Sequence, residues 1–122
     1  MKILVVDDEP IVLRCCQRIL EDQGHTVHLV GSADEAITAM EDEPFEILLV
    51  DIKMPIRDGI DLIREIKEKW PETSVIVMTG YATPETIRKS RSVRADKFIA
   101  KPFTPDELLE ILRPILSKGG CR

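Results

Sequence analysis

Three stretches, Lys2-Ile3-Leu4-Val5-Val6, Ile47-Leu48-Leu49-Val50 and Val75-Ile76-Val77-Met78, are almost unbroken apolar runs. Strands buried on both faces of a parallel sheet have this pattern. Thr26-Val27-His28-Leu29-Val30 alternates polar and apolar at first, and Lys97-Phe98-Ile99-Ala100 is short and charged at its start. Both suit the edges of such a sheet. Helical patterns fill the gaps, over 10–23, 33–42, 59–69, 83–93 and 104–117. Strand and helix alternate along the whole chain, which predicts an α/β fold of right-handed βαβ units.

The helix starts are well marked. Ser32 with Glu35 and Thr104 with Glu107 have capping-box spacing, and Pro84 and Pro105 suit first helical positions. One signal conflicts with its surroundings: Pro114 lies inside the last apolar stripe of Leu108, Leu112, Ile115 and Leu116. An interior proline costs about 3 kcal/mol, so a kink or break is expected near Arg113. No internal repeat or low-complexity tract interrupts the pattern. The expected organisation is one domain over 1–117, followed by a flexible tail over 118–122 that carries Gly119, Gly120 and Cys121.

At 122 residues the chain suffices for one real core. A net charge of −5 argues against a general surface for nucleic acid or anionic membrane. Asp7, Asp8 and Glu9 cut off the N-terminal apolar run before it resembles a signal peptide. No segment approaches the roughly 20 apolar residues of a membrane span. The chain reads as a cytoplasmic protein. Its three cysteines are too few and odd in number for a disulfide framework. Adjacent Cys15 and Cys16, in a helical pattern with Val12, Ile19 and Leu20, read as small buried hydrophobes. His25 and His28 flank the second strand and read as surface residues.

Chemistry concentrates at the strand ends. Asp7 and Asp8 follow the first strand, Asp51 the third, Thr79 the fourth and Lys101 the fifth. In an open parallel sheet the carboxyl ends of the strands share one edge, where ligands bind. Two carboxylates 4 Å apart repel by roughly 4 kcal/mol at an effective dielectric of 20, so such a cluster must bind a proton or a cation. Magnesium is the natural candidate, a hard ion that uses few carboxylates together with phosphate oxygen and water.

Asp7-Asp8, Asp51 with Met54-Pro55 and Asp58-Gly59, Thr79-Gly80 and Lys101-Pro102-Phe103 together resemble the receiver domain of two-component response regulators. Each motif alone is weak; all of them in order, each at a strand end, are a strong signal. The resemblance runs from Met1 to about Ser117. It implies a doubly wound, flavodoxin-like sheet of five parallel strands in the order 2-1-3-4-5, an order known from flavodoxin and chemotaxis receivers. Strong central and weaker edge strands fit that order.

The resemblance further implies that Asp51 is the phosphoacceptor, taking a phosphoryl group from a sensor histidine kinase or a histidine phosphotransfer protein. It assigns Mg2+ to Asp8 and Asp51 directly, to Asp7 through water and to the backbone carbonyl of Lys53. Lys101 pairs with Asp51 and then with a phosphate oxygen, beside a cis bond to Pro102. Thr79 turns toward the phosphoryl group and Phe98 moves inward behind it, biasing the face of helix 4, strand 5 and helix 5. Lys53 and Tyr81 flank the path of the hydrolytic water and imply slow loss of the phosphate.

Other classes fit less well. A flavin carrier needs a Ser/Thr/Gly-rich phosphate cradle after strand one, where Asp7-Asp8-Glu9-Pro10 would repel the flavin phosphate. An aspartate-based phosphohydrolase usually carries its nucleophile after the first strand, with a second acid two residues on. Both a free-standing switch and a regulatory domain cut from a larger regulator with a DNA-binding or other output domain remain open. Two features depart from the family pattern. Arg94 stands where many receivers have glycine, so the helix 4 exit is expected to differ. Helix 4 also carries four cations, Arg88, Lys89, Arg91 and Arg94, read first as a solvated face and second as a docking surface.

Overall fold

The computed structural model describes residues 1–52, 59–80 and 83–120, with 116–120 described through their backbone only. Five strands, β1 (Lys2–Val6), β2 (Thr26–Val30), β3 (Ile47–Asp51), β4 (Ser74–Thr79) and β5 (Lys97–Ala100), alternate with five helices, α1 (Pro10–Glu21), α2 (Ala33–Asp42), α3 (Gly59–Lys69), α4 (Pro84–Ser92) and α5 (Pro105–Gly120). The strands pair in parallel in the order β2-β1-β3-β4-β5. The fold is the doubly wound, flavodoxin-like α/β arrangement.

Alternation along the strands divides the core in two. Leu4, Val6, Leu48, Val50, Val75 and Val77 face α2 and α3, where Ala36, Met40, Leu62, Ile63 and Ile66 cover them. Ile3, Val5, Leu49, Ile76 and Met78 face α1 and α5, against Cys16, Leu20, Leu108 and Leu112. The central strands are buried on both faces, whereas the β2 and β5 edges are partly exposed.

Caps fix the helix starts. Ser32 Oγ accepts from the Glu35 amide at 3.2 Å, and Thr83 caps α4 through the Thr86 amide at 3.2 Å. At α5 the box is reciprocal: the Glu107 amide donates to Thr104 Oγ1 at 3.1 Å, and the Thr104 amide to Glu107 Oε1 at 2.9 Å. Helix α1 stops two residues before its expected end, where the chain turns through Gly24 at φ +87°.

Several expectations need correction. α5 runs through Pro114 without the expected break, to Gly120, and so includes Lys118–Gly120 of the expected tail. Pro114 is exposed, as is Glu110, whose carbonyl loses its helical donor. Solvent can replace that bond, while Leu108 and Leu112 hold the helix to the sheet. Cys16 is buried but Cys15 is exposed, because neighbours on a helix point about 100° apart and only Cys16 is in step with Leu20. His25 is half-buried, its Nδ1 3.3 Å from the Met1 amino group. Burial, then the nearby N-terminal charge, lower its pKa.

Arg94 adopts φ +65°, the left-handed region. Its amide donates to Arg91 O at 3.0 Å and the Ala95 amide to Ser90 O at 3.1 Å. This is the Schellman pattern that ends a helix and usually selects glycine. The α4 exit thus keeps the geometry a glycine would give, with arginine bearing the strain.

Candidate functional site

The C-terminal ends of the strands bring the predicted residues together. Asp7 follows β1; its amide donates to Val30 O at 3.2 Å and its side chain is fully buried. Asp7 Oδ1 accepts from the Glu9 amide at 2.9 Å, folding the β1–α1 loop back over the strand end. Asp51 ends β3 and Thr79 ends β4, with 6% and 3% exposure. Lys101 follows β5; its amide donates to Thr79 O at 2.7 Å, and its bond to Pro102 is cis.

A close approach of α3 holds Asp51. The Gly59 amide donates to Ile52 O at 2.8 Å. A β-carbon at Gly59 would lie 2.6 Å from Asp51 O and 2.7 Å from Ile52 Cα. Only glycine lets the helix start so near the end of β3.

The Lys101 ammonium sits among three carboxylates. Nζ donates to Asp7 Oδ2 at 2.7 Å, Asp51 Oδ2 at 3.0 Å and Glu9 Oε1 at 3.4 Å. Burial opposes its charge, but the hydrogen bonds it donates to Asp7 and Asp51, with their negative charges, outweigh that and hold the ammonium above its usual range. Burial raises the Asp7 pKa, and the opposing Lys101 and Glu9 bonds do not fully offset it. The short Lys101–Asp7 contact marks an ion pair. Closest contact is with Asp7, although the sequence singled out Asp51 as the partner of Lys101.

One carboxylate oxygen from each of Asp7, Asp8, Glu9 and Asp51 lies within 4.8 Å of the others. Asp8 and Glu9 are exposed while Asp7 and Asp51 are buried, so the cluster opens to solvent on one side. An all-oxygen set of this size fits a hard divalent cation. Glu9 is the site residue that the sequence reading did not single out. Its signal was its place in the same loop, directly after Asp8. Lys53 and Tyr81 lie outside the described residues, as do Met54, Pro55 and Asp58.

Beneath the pocket, Cys16 Sγ lies 4.0 Å from Met78 Sδ. Burial, then the Asp7 charge, push its thiol up to about 12, so it stays protonated and inert. Phe98 on β5 is half-buried against the α2–α3 side of the core, and the Arg91 guanidinium lies over its ring, 5.9 Å from the centroid. Within α4 only Ser90 is buried, and Arg88, Lys89 and Arg91 are exposed, as is Arg94 just beyond the helix end.

Residues 3–113 match the response regulator receiver domain family. The chain belongs to that family, whose members are the regulatory domains of two-component systems. It is 34% identical over 116 residues to the sensory/regulatory protein RpfC of Xanthomonas campestris, covering 92% of this chain and 16% of RpfC. It is 34% identical over 121 residues to the hydrogenase transcriptional regulatory protein HoxA of Cupriavidus necator, covering 98% of this chain and 25% of HoxA. Among solved structures, a CheY-like receiver domain protein from Methanospirillum hungatei superposes with a TM-score of 0.91 at 35% identity, covering 96% of this chain and 94% of that one. The chain thus spans a quarter or less of those two curated relatives. Among the described residues, no helix is long and apolar enough to cross a membrane.

Proposed function

We propose that this domain is a phosphoacceptor switch of the cytoplasm, taking a phosphoryl group onto Asp51 from a sensor histidine kinase or a histidine phosphotransfer protein. The observation that carries the reading is the Lys101 ammonium held between Asp7 and Asp51 at the ends of β1 and β3. In the step, an Asp51 carboxylate oxygen attacks the phosphorus, forming a P–O bond as the P–N bond breaks. The imidazole leaves with the bonding pair and regains a proton. Lys101 moves from Asp51 onto a phosphoryl oxygen, and the Thr79 hydroxyl donates to another. Asp8 and Asp51 would hold Mg2+ directly, Asp7 through water and Lys53 by its carbonyl. Bound there, the ion neutralises charge on the moving phosphoryl group. The domain is regulatory and promotes only its own phosphorylation and dephosphorylation. Ile11 on α1, 76% exposed and two residues beyond Glu9, would offer the donor an apolar contact.

Phosphorylation is expected to act on the α4–β5–α5 face through Thr79 and Phe98. Exposed Arg88, Lys89, Arg91 and Arg94 on that face suit an acidic partner. A second reading, a regulatory domain of a longer regulator, is favoured by the small share of RpfC and HoxA that the chain spans.

The test is labelling by acetyl phosphate. Wild type should take up phosphate only with Mg2+, and Asp51→Asn should take up none; labelling of that variant at the wild-type rate would overturn the assignment. Hydrolysis of the aspartyl phosphate should be slow, a tuning role that the family resemblance gives to Lys53 and Tyr81. Lys53→Asn with Tyr81→Glu should shorten the lifetime, and an unchanged or longer one refutes the shielding role.

A further inference from the structure

α4 and β5 are joined by only four residues, Val93 to Asp96. The Schellman bonds at Ser90 and Arg91 and the Asp96 amide bond to Val75 O, at 2.8 Å, fix that connection. The last turn of α4 is thereby set beside the start of β5, and Arg91 meets Phe98 seven residues on. Its guanidinium lies 5.9 Å from the ring centroid, inside the range of cation–π attraction. Phe98 pairs in register with Val77 and Ala100 with Thr79. Because side chains alternate along a strand, Phe98 and Thr79 lie on the same face of the sheet, one step apart. The ring therefore sits between the hydroxyl at the site and a cation on the surface of α4.

We propose that Arg91 is a positioning residue that latches Phe98 in its present half-buried place and so opposes the ring movement that accompanies phosphorylation at Asp51. The proposal deepens the function given above and rests on it for the movement, but the latch itself is a property of the unphosphorylated domain. The contact favours the ring position seen here. Its loss lowers the cost of any other position, and the site shares that gain by linkage. The strength of such contacts at exposed positions corresponds to about two- to five-fold in an equilibrium.

Two measurements on the intact chain test it. Incorporation of 4-fluorophenylalanine labels Phe45, Phe98 and Phe103, and Phe98→Leu assigns the Phe98 fluorine signal. Without phosphodonor, Arg91→Ala should move that signal alone, Arg91→Lys should restore part of the shift, and Arg88→Ala, which removes an equal charge from α4, should leave all three signals in place. With beryllofluoride and Mg2+, Arg91→Ala should raise the apparent affinity about two- to five-fold, and the gain should vanish when Phe98→Leu is combined with it. Equal fluorine shifts for Arg91→Ala and Arg88→Ala, or an affinity gain that persists without the ring, overturn the latch. Failure of wild type to bind beryllofluoride or take up phosphate at Asp51 would instead overturn the functional reading, and the fluorine comparison still decides the latch.

Discussion

Replacing Lys101 by Met removes the counter-charge of the acidic pocket and keeps most of the side-chain volume. At 2.7 Å and 3.0 Å from Asp7 and Asp51, the ammonium gains about 5 to 6 kcal/mol of gross attraction from each at an effective dielectric of 20. Most of that only offsets the removal of the charges from water. Taking away one partner of a buried pair leaves the other uncompensated, typically at 3–5 kcal/mol. The pocket opens toward Asp8 and Glu9, so a loss of about 3 kcal/mol is expected at neutral pH without metal. Urea melts should report it as a lower midpoint at unchanged slope.

The pH dependence gives a second reading of the same variant. A carboxyl whose folded pKa is raised makes the native state bind more protons than the unfolded chain, so stability falls as pH rises through that folded value. In wild type this applies to Asp7, which burial holds above its ordinary range. Without Lys101 the opposing hydrogen bond and charge are gone, and the trend should steepen. Lys101→Met should regain stability as pH is lowered from 8 toward the carboxylate range, and more so than wild type does. Mg2+ should also stabilise the variant more than wild type, because no ammonium then competes with the ion for the acidic cluster. At a hundred times its Kd the ion adds about 2.7 kcal/mol. Equal stability of variant and wild type at pH 7.5 without metal, with the same pH slope, would refute Lys101 as the counter-ion.

The apolar runs Ile3 to Val6, Ile47 to Val50 and Val75 to Met78 became the fully buried central strands, since few other structures consume such runs. The edges were legible from the exposed starts of β2 and β5. Burial at helix positions was legible only where periodicity was applied residue by residue. Cys15 and Cys16 read alike by composition, yet only Cys16 shares the stripe of Leu20. Pro114 misled because a local cost of about 3 kcal/mol was weighed without the packing of Leu108 and Leu112 on the sheet. At the site, topology alone gathers Asp7, Asp51, Thr79 and Lys101 on one edge. It does not say which carboxylate Lys101 approaches most closely. Burial and a turn decide that: Asp7 is fully enclosed, and the bond from the Glu9 amide aims its other oxygen. That same turn brings the Glu9 carboxylate to Lys101, a contact no linear spacing shows.

Two substitutions test how the backbone supports the site. Arg94→Gly should stabilise the domain by about 1 kcal/mol, since φ +65° strains arginine and not glycine; a neutral or lower urea midpoint would show that the arginine side chain compensates. Gly59→Ala should act in the opposite direction. The added β-carbon would lie 2.6 Å from Asp51 O and 2.7 Å from Ile52 Cα. Both are backbone atoms, so no flexible side chain can yield and either α3 or the end of β3 must shift. Such overpacking costs about 1–3 kcal/mol. The contact is with the carbonyl of the proposed phosphoacceptor itself, so displacement should be felt in chemistry as well as in stability. Acetyl phosphate labelling of Gly59→Ala should therefore fall by more than its unfolded fraction explains, in conditions where a melt shows it folded. A variant that is destabilised yet labels at the wild-type rate would mean that α3 moves alone. In that case the close approach of Gly59 serves the fold and leaves Asp51 in place.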